Sequence, residues 1–197
     1  MEFKPEKSIV CNHKLILGSA SPRRKELLEG LGFQFEINPI HANEDFPIEL
    51  NGMEITMYLA EKKSNSYSSN LKENELLITA DTVVWIDNEV LNKPKDREEA
   101  TRMLRQLSGK KHEVYTGVCL RTTQKKKLFC EKSDVYFKQL SKAEIDFYVD
   151  NYPVYDKAGS YGVQDWIGFI GIERIDGSFY NVMGLPVKKT FEEIINF

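Results

Sequence analysis

Cysteine is scarce in this chain. Among its 197 residues there are three, Cys11, Cys119 and Cys130, an odd number and widely spaced. No CxxC or similar metal spacing occurs, so neither a zinc knot nor a disulfide framework is expected, and the free thiols suit a reducing compartment. Long hydrophobic runs are missing as well. Without a stretch of ~20 apolar residues no transmembrane helix is expected, and the opening MEFKPEKSIV lacks the apolar core of a signal peptide. These features favour the cytoplasm. Nor is there a large charge excess. A net charge of −3 argues against bulk electrostatic binding to nucleic acid or membranes, so any phosphate recognition must be local. Internal repeats, low-complexity tracts and linkers are absent too. Residues 1–197 therefore read as a single domain, long enough to bury a sizeable core.

The most informative stretch is LILGSASPRRKELLEGLG, from Leu15 to Gly32. Leu15, Ile16 and Leu17 form a short apolar run that suits a buried strand. Gly18, Ser19, Ala20 and Ser21 make a small-residue loop. Ser21 is a good N-cap, Pro22 suits the first helical position, and Leu27, Leu28 and Leu31 share one helical face. Gly30 or Gly32 can end this helix. Strand, loop and helix start together make an anion site, because free backbone N–H groups and the positive end of the helix dipole meet there. Ser19 and Ser21 add hydroxyls. Arg23 and Arg24 add guanidinium forks in the turn where cations oppose the dipole, a placement that an incoming anion would reconcile. The alternative is a capped helix with two solvated charges.

The rest of the chain reads as alternating strands and helices. Phe33, Phe35 and Ile37 alternate with polar residues as a strand does, and 38–50, with two prolines and acidic Glu44, Asp45 and Glu49, reads as a loop. Met53 to Tyr67 suits a helix carrying Lys62 and Lys63. The run from Leu76 to Ile86 is strand-like, with a polar break at Thr79, Asp81 and Thr82. A carboxylate in such a setting is seldom buried without a partner. Asp81 is therefore either a satisfied structural residue at a strand break or a group projecting into a cleft, and the second reading is preferred. Asp87-Asn88 is a turn, Asp96 caps a helix ending at Gly109, and His112–Leu120 is a strand in which Gly117 could mark a bulge. Lys125, Lys126 and Lys127 form a solubilising hairpin tip before a strand at 128–137. Ser141 and Glu144 form a capping box. Residues 153–185 are glycine-dense and strand-like, and Pro186 opens a last helix. Trp166 could stack on a base or fill the core.

In their order and spacing, several blocks resemble the Maf family of nucleoside triphosphate pyrophosphatases: SASPRRKELL at 19–28, LAEKK at 59–63, ITADTVV at 78–84, NKP at 92–94, LSGKKHEVYTGV at 107–118, DKAGSYGVQ at 156–164 and NVMGLP at 181–186. The resemblance implies an α/β fold, an elongated mixed sheet with flanking helices and two lobes around a cleft, within the wider superfamily of house-cleaning inosine triphosphate pyrophosphatases. It implies hydrolysis of a nucleoside triphosphate to the monophosphate and pyrophosphate with a divalent metal, Mg or Mn. Asp81 matches the catalytic position. Ser19, Ser21, Arg23, Arg24, Lys63 and Lys93 match the phosphate-cleft positions. Glu44 matches an acidic metal-site position beside Asp81, although its loop, HANEDFP, departs from the usual Asp-Glu pair. Members often dimerise, so a homodimer is an implied assembly.

Attack at the α-phosphorus needs neutralised charge along the triphosphate, an oriented water and a stabilised leaving pyrophosphate. The four cations, and two carboxylates able to hold a metal, suit those needs. A free Asp, with a pKa of about 3.9, is a weak base, so the metal would share in activating water. Arg23, Thr82 and Gln164 match the dTTP/UTP subgroup rather than the 7-methyl-GTP subgroup, and the Gln164 amide offers a donor and an acceptor to a pyrimidine's imide edge. The two rival readings are the 7-methyl-GTP enzyme and a non-enzymatic nucleotide-binding regulator of cell division. Retention of Asp81, Lys63 and Lys93 argues against the latter. A nucleic-acid-binding role fits poorly with the net charge.

Overall fold

A computed structural model describes residue 9 and residues 11–67 and 70–197. Expectations for residues 1–8, 10, 68 and 69 lie outside the described residues. The chain order begins β1 (Lys14–Leu17), α1 (Pro22–Gly30), β2 (Phe35–Ile37), α2 (Gly52–Asn65), β3 (Glu75–Ile86), β4 (Glu89–Leu91) and α3 (Arg97–Leu107). It continues with β5 (Lys111–Arg121), β6 (Lys126–Phe137), α4 (Lys142–Asn151), a 3-10 turn at Ala158–Ser160, α5 (Trp166–Gly171), β7 (Ile172–Asp176), α6 (Phe179–Met183) and α7 (Val187–Ile195).

Among the described residues, seven strands form one mixed sheet in the order β2-β1-β3-β5-β6-β7, with β4 also on β3. The two pairings of β1, with β2 and with β3, are parallel, and the other pairings are antiparallel. The α/β class with a mixed sheet and flanking helices is as expected from the sequence. Two differences are informative. First, β3 is continuous through the polar residues. Thr79, Asp81 and Thr82 each hold register with β5, so there is no break in the strand. Second, 153–185 is mainly short helical turns with the single strand β7, because its glycines serve tight turns rather than extended backbone.

One feature of the sheet positions everything that follows. On the side of β3 away from β5, β1 pairs with Glu75 to Ile78 and β4 pairs with Val84 to Ile86. Between them, among the described residues, Thr79 to Val83 have a strand neighbour on the β5 side only. The sheet is forked there, and the fork opens its two faces to each other. Alternation along β3 sends Asp81 to one face and Thr82 to the other.

Two large apolar clusters flank this fork. One gathers Val84, Leu104, Val135 and Tyr148 under α3 and α4, and the other gathers Leu17, Leu28, Ile78 and Leu185 against α1. A smaller one, of Ile55, Leu59 and Val83, seats α2 on the sheet. Gly117 is not a bulge, because β5 stays in register through it on both sides. A Cβ at Gly117 would lie 2.5 Å from the Thr56 backbone, so its lack of a side chain is what lets α2 press onto the sheet. Trp166 packs beside Phe147 and Tyr152, with ring centroids 4.7 and 6.5 Å away, and contributes to the core. The lysines before and in β6 are partly engaged: Lys126 pairs with Glu61 and Lys127 with Glu193. No helix among the described residues is long and apolar enough to cross a membrane.

Candidate active site

A cleft of about 840 Å³ enters the fork. All ten residues singled out in the sequence line it: Ser19, Ser21, Arg23, Arg24, Glu44, Lys63, Asp81, Thr82, Lys93 and Gln164. They come from the β1–α1 loop, the 38–50 loop, α2, the middle of β3, the β4–α3 loop and the segment before α5.

The first wall is the helix start anticipated from LGSASPRR. Ser21 caps α1 by accepting from the Arg24 N–H, and Pro22 occupies the first turn. The Ser19 hydroxyl accepts from the Ser21 N–H at 3.2 Å. No acidic residue stands in the first turn of α1, so the positive helix end is left to the two arginines and to whatever enters the cleft.

The arginines are held differently. Arg23 donates to the Asp156 carboxylate at 2.8 Å and to its carbonyl at 3.3 Å. Arg24 Nε donates to the Gly184 carbonyl at 2.9 Å, and Nη2 donates to the Thr82 hydroxyl at 3.1 Å. These two partners, and the Ser19 hydroxyl that accepts from Nη1 at 3.5 Å, are neutral, and no carboxylate among the described residues lies in ion-pair contact with Arg24. Burial pulls its guanidinium below the ordinary range, with the nearby Asp81 charge opposing that shift. A half-buried, permanently charged group held by neutral acceptors is a strong anion ligand.

Across the fork lies the acid–base cluster. Asp81 is buried, and α2 brings Lys63 onto it in a close ion pair. Lys63 Nζ also reaches Glu44 Oε1 at 2.8 Å, and Lys93 Nζ stands 3.6 Å from Glu44 Oε2. Burial raises the Glu44 pKa, but the Lys63 hydrogen bond and the charges of Lys63 and Lys93 outweigh it and leave the carboxyl below its usual range. Lys63 Nζ thus sits between two carboxylates. Among the described residues no group of three or more His, Cys, Asp and Glu is placed to hold a metal.

Gln164 lines the far part of the cleft, half-buried. Nearby are residues to which the sequence reading gave no role. Asp156 anchors Arg23, and the buried Lys157 binds Asp156 at 2.8 Å and stands 3.5 Å from Asp165. Burial raises the Asp156 pKa, but Lys157 and Arg23 outweigh it and hold the carboxyl low. The DKAGSYGVQ block carried a signal for these two residues; their partners lie more than a hundred positions away in one case and are set by tertiary packing.

Known proteins resemble this chain closely. The family model described as Maf-like protein matches residues 14–197. A protein of Bacteroides thetaiotaomicron named dTTP/UTP pyrophosphatase is 52% identical over 183 residues, 92% of this chain and 95% of that one. One of Porphyromonas gingivalis W83, with the same name, is 52% identical over 188 residues, 94% of each chain. Among solved structures, the Staphylococcus aureus Ham1 protein is a distant likeness, with a TM-score of 0.43 and 12% identity over 80% of this chain and 90% of that one. The match from β1 to the last residue, with relatives half identical over nine-tenths of its length, places the protein in the Maf family.

Proposed function

We propose that this protein hydrolyses dTTP and UTP to the nucleoside monophosphate and pyrophosphate. The observation that carries the reading is the convergence on one cleft of a buried carboxylate, Asp81, with four cationic side chains and a helix N-terminus. The names of relatives about 50% identical support the substrate class.

In this reading water attacks the α-phosphorus. A P–O bond forms to the water oxygen, the bond from the α-phosphorus to the bridging oxygen breaks, and pyrophosphate leaves with that electron pair. Asp81 orients the water and accepts its proton. Arg24, Arg23, Lys63 and Lys93 spread the charge of the triphosphate, with Ser19, Ser21 and the N–H groups of their loop on its oxygens. Phosphate would compete with Asp156 for Arg23 and with the two carboxylates for Lys63. Asp81 and Glu44 fit a divalent Mg or Mn ion, since such ions are bound by one or two carboxylates plus substrate phosphates and water. When bound, that ion would supply charge neutralisation and a more acidic water. Gln164 pairs with the O4/N3–H edge of uracil or thymine, accepting from N3–H and donating to O4, an edge that cytosine lacks.

The test is a nucleotide panel with Mg²⁺ or Mn²⁺, read as pyrophosphate release. dTTP and UTP should give the highest kcat/KM, with CTP, ATP, GTP and 7-methyl-GTP poor. A preference for 7-methyl-GTP would overturn the substrate assignment and spare the reaction, whereas a folded protein inert toward the whole panel would overturn both. Unchanged pyrimidine preference in Gln164→Glu would remove Gln164 from base reading.

A further inference from the structure

We infer that Thr82 and Thr116 are positioning residues that aim Arg24 at the phosphates through a one-way chain of hydrogen bonds. The inference rests on the pyrophosphatase reading for its phosphate ligand.

The argument is one of proton direction. Thr116, fully buried on β5, donates its only hydroxyl proton to the Asn181 carbonyl at 2.9 Å. Its oxygen also lies 2.9 Å from the Thr82 hydroxyl. With the Thr116 proton committed, Thr82 must be the donor in that bond. The Thr82 oxygen is then free to accept from Arg24 Nη2, at 3.1 Å. Protons therefore run one way, from guanidinium to Thr82 to Thr116 to the Asn181 carbonyl; neither threonine has a spare proton for a substrate, while Arg24 keeps its remaining N–H groups for phosphate. Each link polarises the next, so the Thr82 oxygen is a better acceptor for the guanidinium than an isolated hydroxyl would be.

The far end of the chain is fixed. The Asn181 amide donates to the Val114 carbonyl at 3.1 Å and to the Ser133 hydroxyl at 3.0 Å. Arg24 is pinned at a second point by Gly184, whose φ of +121° presents its carbonyl to Nε at 2.9 Å. Neutral acceptors at Gly184, Thr82 and, more weakly, Ser19 fix the guanidinium plane without neutralising its charge. A carboxylate in any of these places would hold Arg24 as firmly and cancel what the substrate needs.

The test uses inorganic tripolyphosphate, which has phosphates and no base, alongside nucleotide turnover. Thr116→Val and Thr82→Val should each weaken tripolyphosphate binding by about three- to tenfold, the range of one lost hydrogen bond. Thr116→Val, at a residue that does not line the cleft, should lower kcat/KM by the same factor for every nucleotide hydrolysed, leaving the preference among bases unchanged. Thr116→Ser keeps the hydroxyl and should restore both readouts. In an Arg24→Lys background neither valine should cost anything further, because coupled residues are non-additive. Unaltered tripolyphosphate binding in Thr82→Val or Thr116→Val would overturn the inference, as would full additivity with Arg24→Lys. Failure of a folded Thr116→Ser to recover would mark the residue as packing alone. Should the wild type bind tripolyphosphate in this threonine-dependent way yet hydrolyse no nucleotide, the positioning role stands and the proposed reaction falls.

Discussion

Asp81 and Gly117 are direct partners across the β3–β5 ladder, and the residue without a side chain decides how near the helix comes to the carboxylate. Gly117 leaves room for the Thr56 backbone, and seven residues further along the same helix is Lys63, the ion-pair partner of Asp81. Gly117→Ala would put a Cβ 2.5 Å from backbone atoms that cannot rotate away. It should cost about 1–3 kcal/mol of stability, as overpacking does, and lower turnover by lifting Lys63 from the cleft. Thermal unfolding and kcat measured together check this; an unchanged Tm would mean that the helix yields freely.

Asp81→Asn removes the charge and keeps the shape. Turnover should fall by at least about 100-fold, in line with loss of a general base. The fold should persist, since Lys63 retains Glu44 at 2.8 Å. Circular dichroism and steady-state rates decide it, and wild-type-like turnover in the folded variant would falsify the assignment.

Arg24→Ala deletes a cation that has only neutral partners here. Loss of a charge-assisted bond to phosphate should cost about 1.5–3 kcal/mol, or roughly 10- to 150-fold in kcat/KM. An unaltered kcat/KM would reduce the loop to a helix cap.

His112 gives a pH dependence that is independent of catalysis. Its ring is buried against Phe137, with Nε2 2.7 Å from the Tyr161 hydroxyl, and burial lowers its pKa to about 3 against a smaller opposing pull from Asp134. In the unfolded chain the imidazole protonates near 6.5. Between pH 6.5 and about 3 the unfolded state therefore binds the extra proton, and stability falls as pH falls. His112→Gln should flatten that part of the profile by an amount on the order of 3 kcal/mol between pH 7 and 4. Urea unfolding at those two pH values is the measurement, and parallel profiles would show that the ring stays accessible to protons.

Local chemistry made much of this molecule legible in advance. Ser21, Pro22 and the leucines of α1 state a helix start within ten residues, and the cap is where they put it. Asp81 stood out because a carboxylate amid Leu76–Ile86 needs a reason. Thr116 did not, since a threonine in a strand is ordinary until its partners from 65 and 34 positions away are known. Asp156 opens the DKAGSYGVQ block, but its role was not legible because its partner Arg23 is 133 positions distant. The segment 153–185 misled because glycine density cannot distinguish a strand's bulges from a series of short turns.

The fork in the sheet has a consequence for solubility. Five residues of β3, Thr79 to Val83, lack a strand neighbour on one side among the described residues, and unpaired strand edge is a template on which other chains can add and aggregate. Here β1 and β4 occupy the same edge on either side of the gap, so an intruding strand would find room for only those five residues, at the bottom of a cleft lined by charge. The opening that admits a small anion is too short and too polar for a polypeptide, and the protein keeps an unpaired but largely buried edge for its chemistry without the adhesion such edges invite.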